Sequence, residues 1–420
     1  MVLVMLKSIA LSFLMIISLT GTVFAMEDDL VDSPLVTKHT ILVDQEKIYA
    51  TNYLEITGVA SLHKLGFKGA NTKAIIIDNY IDPEHKALVN NLTQSIIPGT
   101  HHSNTILGHG THVSGIIQEI VPEAEIKFIS CHGGQEDSST DALLAALEEA
   151  ALSKGDVVNL SLTLIAKNFK PQIQYTPYDD IDPEIELAFE KIIDSGKAIF
   201  VALGNEYDFS AKVADIYSTK LMKLADKPEM KGMLTLVASS DYDCNGKERL
   251  ASYSNRAIEK SSYVITAPGS DILSTMPDNK YASKSGTSMA APVAVGGYLL
   301  LKSAIPGLEP CEYLKLIRTS ARKKSLSGNY FFGYQYGEGI LQIYKAFKEG
   351  IETNIEPNWT FVNGSKGDID DWTFIEIRQE ESNKKTENVN TKSMNEAPAA
   401  ANWPIPSLKN VVAHFSGWWN

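Results

Sequence analysis

Three cysteines in 420 residues are too few for a disulfide framework, and an odd number cannot all pair within one chain. None of Cys131, Cys244 and Cys311 has the spacing of a nucleophile motif. Cys131 ends the apolar run 126–130, so a buried thiol is expected there. Positive charge is also short. The 38 Lys and Arg stand against 51 Asp and Glu, a net charge of −13, which argues against nucleic acid and anionic membrane surfaces as partners. Long apolar runs are missing as well: past the first 25 residues no stretch is long enough to cross a bilayer. A monomer that requires no cofactor is expected.

The first residues have the pattern of a targeting segment. Lys7 precedes the apolar stretch 9–19, and Val23-Phe24-Ala25 offers small residues where cleavage is expected. Residues 1–25 are therefore read as a signal peptide, leaving no stable membrane anchor after cleavage and a secreted or periplasmic chain. Residues 26–50 are too short for a folded pro-domain. A hydrophobic content of 44% is ample for one large domain plus extensions.

Short Val/Ile/Leu runs at 74–77, 125–130, 157–161, 198–202, 234–238 and 263–266 alternate with helical stretches. Continuous apolar strands of this kind imply an α/β fold of three layers, a mostly parallel central sheet with helices on both faces. Helices are expected over 141–152, 289–304 and 312–322, with a further closing element at 340–347. Residues 51–349 form the main domain on this reading. The two runs Trp359-Thr360-Phe361-Val362 and Trp372-Thr373-Phe374-Ile375 suggest a small β-hairpin within 350–378. Residues 379–420 read as a flexible linker and tail.

The run Ser285-Gly286-Thr287-Ser288-Met289-Ala290-Ala291-Pro292 is the most informative feature. It puts one serine at the mouth of a buried helix, whose free N–H groups and partial positive charge suit an alkoxide or a developing oxyanion. Gly286 is read as the residue that turns the chain sharply enough to expose the hydroxyl. A plain N-cap serine would account for Ser288 alone, but not for the rest of the run.

With that run, Lys73-Ala74-Ile75-Ile76-Ile77-Asp78, Gly108-His109-Gly110-Thr111-His112-Val113-Ser114-Gly115 and Ala202-Leu203-Gly204-Asn205 fall in one order. The chain resembles the subtilisin-like serine proteases (subtilases) over roughly residues 53–348. The resemblance implies a catalytic triad of Asp78, His109 and Ser288, in the Asp–His–Ser order of that family. His109 would be the general base, Asp78 would fix its tautomer, and Asn205 would donate to the oxyanion beside the Ser288 N–H. His109 is then expected within about 2.6–3.5 Å of both triad partners. The family's substrate strand would lie beside Ser161, Leu162 and Thr163 and beside Ala202, Leu203 and Gly204.

Three positions depart from the family pattern. Tyr80 stands where a glycine usually turns the chain after the aspartate. Thr163 replaces a glycine that approaches substrate backbone. Leu203 replaces a smaller residue and is expected to reduce the depth of the primary pocket, favouring small residues at the cleaved position. His109-x-x-His112 lacks the glutamate and third ligand of a zinc protease, so no metal is expected there and His112 is read as structural. His101 and His102 are read as surface residues. Asp241-x-Asp243-x-Asn245-Gly246 copies the first half of a calcium loop but has Ser252 at position twelve, so a solvated turn is favoured over a structural calcium ion. Three functions stay open: a serine endopeptidase acting through an acyl-enzyme, a subtilase-fold pseudoprotease that binds peptides or a protein partner, and an esterase-like hydrolase on the same triad.

Overall fold

The computed structural model describes residues 38–43, 46–96, 108–131, 140–162, 164, 181–243, 247–258, 262–324, 333–354, 359–363, 372–376 and 391–392. The signal segment, Thr163, His101, His102 and Cys244 lie outside the described residues. The first elements are strands β1 (Lys38–Val43) and β2 (Glu46–Thr51), an antiparallel pair with Thr40 opposite Tyr49. Sequence reading had left 26–50 without an element. A two-stranded ribbon has no core of its own, and this one is fastened at its end. The Thr51 N–H donates to Asp271 O at 2.8 Å and its hydroxyl to Ser270 O at 2.7 Å.

The main sheet is built from β3 (Lys73–Asp78), β4 (Leu92–Ile96), β5 (Glu125–Ser130), β6 (Val157–Leu160), β7 (Ala198–Ala202), β8 (Leu234–Tyr242), β9 (Glu248–Leu250) and β10 (Val264–Pro268). Its order is β10-β8-β7-β6-β3-β5-β4, parallel throughout, with β9 antiparallel on β8. All six strands expected from apolar runs are present. The unforeseen β4 reads Leu-Thr-Gln-Ser-Ile and forms the sheet edge, where a strand needs no continuous apolar run.

Ten helices complete the described chain: α1 (Tyr53–Ile56), α2 (Val59–Lys64), α3 (His109–Ile120), α4 (Thr140–Leu152), α5 (Pro183–Asp194), α6 (Ala211–Ala225), α7 (Thr287–Ala304), α8 (Pro310–Ser320), α9 (Gly333–Tyr336) and α10 (Ile343–Asn354). Helices α3 and α7 pack on each other and on the sheet, while α4 and α5 pack together against the same central strands from the other side. The result is the expected three-layer arrangement. Strands β3 and β7 are buried on both faces, and α7 is buried along nearly its whole length from Thr287 to Leu301. Each such Leu, Ile or Val contributes about 1.5–3 kcal/mol by leaving water. The stretch 206–233, read only as an insertion, contains α6, capped where the Val213 N–H donates to Ser210 Oγ.

Two smaller ribbons follow. Strands β11 (Ile272–Met276) and β12 (Lys280–Lys284) pair antiparallel and lie across the start of α3. There Ser274 Oγ donates to His112 O at 2.8 Å and Thr275 Oγ1 to Thr111 O at 2.7 Å. Strands β13 (Trp359–Asn363) and β14 (Trp372–Glu376) pair antiparallel, Thr360 opposite Ile375. A third strand, β15 (Thr391–Lys392), pairs with β14 inside the stretch read as linker. Among the described residues no helix is long and apolar enough to cross a membrane.

Candidate active site

Asp78 is the last residue of β3, between β5 and β6, where strands of a parallel sheet end and ligands are bound. Its carboxylate is almost fully buried. Both oxygens face His109 Nδ1, at 3.0 and 2.9 Å, and Oδ1 also accepts the Asn79 N–H at 2.7 Å. An acceptor on Nδ1 fixes that nitrogen as the protonated one and leaves Nε2 able to accept a proton. Burial disfavours the imidazolium, but the Asp78 charge and hydrogen bond outweigh it, so the His109 pKa is raised above the ordinary 6.5.

The turn after Asp78 is made without glycine. Asn79 donates back to Asp78, and the Tyr80 N–H donates to Asn79 Oδ1 at 2.6 Å. Tyr80 is not among the residues with left-handed φ. Side-chain acceptors supply what the family's glycine supplies by conformational freedom.

His109 is the first residue of α3. Gly108 before it has φ +54°, and a Cβ there would run into Pro277 of the β11–β12 turn. His112, one turn later, is buried. Its Nε2 donates to Ala282 O at 3.0 Å, and burial depresses its pKa to about 3, so it stays neutral and serves the β12 contact.

Ser288 is the second residue of α7, in the turn whose N–H groups have no acceptor within the helix. Gly286 does not make the sharp turn expected of it. Its φ of 163° is extended backbone, and its N–H donates to Gly269 O at 2.8 Å. Ser288 Oγ donates to Ser161 O at 3.2 Å, and among the described residues no hydrogen bond joins it to His109. The expected close approach of His109 to two partners is thus present on the Asp78 side, while the Ser288 hydroxyl rests elsewhere. Ser161 returns the contact, its Oγ donating to Ser288 O at 2.9 Å. Pro292 makes this pairing available. A residue with an N–H at 292 would donate to the Ser288 carbonyl in the ordinary helical pattern, and proline has none.

Asn205 follows Gly204 at the end of β7 and is exposed. Its Oδ1 accepts the Thr287 N–H at 2.8 Å and the Thr287 hydroxyl at 3.1 Å. With the carbonyl oxygen held by the residue before Ser288, Nδ2 is left as a donor at the mouth of α7. The segment is clamped from behind by buried Asn255. Its N–H donates to Gly204 O at 2.9 Å, its Nδ2 to Leu203 O at 3.0 Å and to Glu206 Oε2 at 2.6 Å, and its Oδ1 accepts the Glu206 N–H at 3.0 Å. Gly204, at φ +106°, has room for no Cβ beside that amide. Sequence analysis gives Asn255 no role. The signal that was there is an asparagine beside two serines in a polar turn, which local sequence cannot connect to a segment 51 residues away. Replacing Asn205 with Ala should lower kcat by about 10²–10³, the size known for this family, with KM little changed. Steady-state kinetics on one peptide series checks both numbers.

The residues expected to flank substrate divide. Ser161 presents its carbonyl to the Ser288 hydroxyl, and Leu162 beside it is half-buried. Ala202 is buried. Leu203 is a correction: it is fully buried in the core and lines no open pocket. Its N–H donates to Val237 O at 2.9 Å, and the Gly204 N–H donates to Thr287 Oγ1 at 3.1 Å. With both carbonyls also held by Asn255, residues 203–204 form a closed wall with no backbone group to offer a substrate strand. Leu203→Ala should therefore leave residue preference unchanged and cost about 2–4 kcal/mol of stability. Urea titration beside a substrate profile separates the two outcomes.

Cys131, just past β5, is half-buried, and burial and the Asp78 charge push its thiol up to about 12, which removes it as a nucleophile. Asp241 is engaged by Arg249, Nη2 at 2.6 Å, and Asp243 Oδ1 accepts the Lys247 N–H at 2.8 Å. These carboxylates brace the β8–β9 hairpin. Among the described residues no group of three or more His, Cys, Asp or Glu is placed to hold a metal ion.

Comparison with known proteins gives the site its context. Residues 69–339 match the model of the family described as "Subtilase family". Subtilisin DY of Bacillus licheniformis is 26% identical over 290 residues, 67% of this chain and 92% of that protein. The major intracellular serine protease of Bacillus subtilis (strain 168) is 28% identical over 258 residues, 57% of this chain and 70% of its own. Among solved structures, fervidolysin from Fervidobacterium pennivorans, a keratinolytic enzyme related to subtilisin, superposes with a TM-score of 0.53 at 22% identity, over 74% of this chain and 46% of that one. The prenylagaramide maturation protease PagA gives 0.52 at 19% identity, over 69% and 97%. With residues 69–339 matched to that family model, well over half of its length, the chain belongs to the subtilase family and is a serine-type endopeptidase.

Proposed function

We propose that this chain is an exported endopeptidase in which Ser288 attacks, His109 shuttles the proton, Asp78 holds the imidazole, and Asn205 Nδ2 with the Ser288 N–H binds the oxyanion. The observation that carries the reading is the Asp78–His109 contact at 2.9 Å, with Nε2 left as base. Turnover requires Ser288 Oγ to leave the Ser161 carbonyl and donate to His109 Nε2. As Oγ attacks, Nε2 takes its proton, and the oxyanion forms against donors already fixed in place. The imidazolium then protonates the leaving amine, and water opens the acyl-enzyme by the same route. A peptide strand pairs along Ser161, Leu162 and Thr163, taking up the Ser161 carbonyl as the hydroxyl vacates it. His109 must be neutral to act as base, so the acid limb of kcat/KM is set above pH 6.5 by the raised imidazole pKa.

Export rests on Lys7, the apolar stretch 9–19 and Val23-Phe24-Ala25. The relatives include an intracellular protease, so family membership alone does not fix the compartment. A second reading, a peptide-binding pseudoprotease, rests on the absence of a Ser288–His109 hydrogen bond among the described residues. A serine-directed fluorophosphonate decides between them. Stoichiometric labelling of Ser288 together with cleavage of a peptide library supports the enzyme. A folded protein that binds peptides, resists the probe and cleaves nothing supports the binder. N-terminal sequencing of material released by expressing cells tests export: a start near Met26 is expected, and retention of residues 1–25 would overturn it.

A further inference from the structure

Helix α6 reaches back to the chain that leaves β6. It begins at Ala211, six residues past Asn205, and packs on β8. Its buried residues Ala214, Ser218, Leu221, Leu224 and Ala225 form one stripe, which fixes the helix on the core along its length. Tyr217, three residues after Ala214 and four before Leu221, shares that face and is half-buried against the core. Its hydroxyl oxygen accepts the Leu164 N–H at 2.9 Å. Leu164 is itself buried and lies four residues past Leu160, the last residue of β6. It is beyond the sheet's ladder, so its N–H needs an acceptor from elsewhere, and α6 supplies it.

The other end of the same stretch is tied as well. Fully buried Asn159 donates through Nδ2 to Ser161 Oγ at 3.0 Å, and Ser161 Oγ donates to Ser288 O at 2.9 Å. Ser161 and Leu162 are thus carried between a tether to α7 and a tether to α6. At the end of β7 the backbone groups of residues 203–204 are engaged by Val237, Thr287 and Asn255. Of these two segments, the one with Ser161 and Leu162 is therefore the one that can pair with a peptide. We propose that Tyr217 is a positioning residue for substrate: its hydroxyl holds the far end of this segment, so that a peptide meets a strand already in place. Tyr217 touches no reacting atom and acts through backbone order. A segment left to be ordered on binding would subtract that entropy from the affinity of every peptide that pairs along it. The chemical step is spared, because the contacts of Asp78 with His109 and of Asn205 with Thr287 do not pass through α6.

The inference rests on the endopeptidase reading, and the test separates the two. Tyr217→Phe keeps the ring and removes only the acceptor. Parent and variant are compared on a peptide extended by several residues on the acyl side of the cleaved bond. An ester of one blocked residue, too short to pair along the segment, is run beside it and also reports that the variant is folded. The variant should raise KM for the peptide about fivefold, the size of one lost hydrogen bond, with kcat nearly unchanged. Both constants for the ester should stay at the parent's values. An unchanged peptide KM overturns the role of Tyr217. So does an equal loss on ester and peptide, which would show that the hydroxyl only stabilises the fold. A folded parent that turns over neither ester nor peptide overturns the endopeptidase reading, and Tyr217's role with it.

Discussion

Ser288→Ala should lower kcat by about 10⁶-fold and leave KM nearly unchanged, a size known for loss of this nucleophile in the family. The alanine keeps the first turn of α7, the Thr287–Asn205 contact and the Ser161 Oγ–Ser288 O bond, all of which use backbone or other side chains at 288. Only the attacking oxygen goes. What remains is binding plus the oxyanion donors, which still exceed the uncatalysed rate by about 10³–10⁴. Single-turnover and steady-state assays on one peptide measure both. A variant within tenfold of the parent would mean that another group attacks, and Cys131 is excluded by a thiol pushed up to about 12.

Asp78→Asn should cost about 10⁴ in kcat while leaving the fold intact. The side chain is buried, so its isostere keeps the packing, but one of the two oxygens now facing His109 Nδ1 becomes an amide. An amide N–H turned to Nδ1 favours the wrong tautomer and puts the proton on Nε2, where the base should be. The second effect has a sign of its own. The Asp78 charge is what raises the His109 pKa against burial, so its loss should move the acid limb of the residual activity to lower pH. A loss of rate with an unmoved acid limb would show that Asp78 acts only through packing.

Much of this was legible in the residues. A sheet buried on both faces announces itself as unbroken Val/Ile runs, and β3, β7 and β8 were read that way. The polar edge strand β4 gave no such signal. The residues proposed to carry bond-making lie in dense local motifs, so Asp78, His109, Asn205 and Ser288 could be named before any coordinates. Leu203 was misplaced for a physical reason. In a strand covered on both faces, alternation no longer tells which way a side chain points, so a leucine just past β7 could be assigned to pocket or core with equal local support. Tyr80 could be marked as a departure from the family's glycine, but how the turn is made could not be read, because the two acceptors that make it, Asp78 and Asn79, act only once the chain has folded back on itself. Asn255 depends on contacts made only after folding.

Pro292 sets helix stability against placement of the nucleophile. A proline within a helix costs about 3 kcal/mol relative to alanine, and a search for stabilising substitutions would choose this position early. Yet the amide it lacks is the one that would claim the Ser288 carbonyl, and without that competitor the carbonyl reaches across to Ser161 at the end of β6. The helix gives up one internal bond, and the nucleophile gains a tether to the sheet. A more stable α7 would hold Ser288 by its own helix alone, so this trade-off between robustness and activity is confined to a single missing hydrogen.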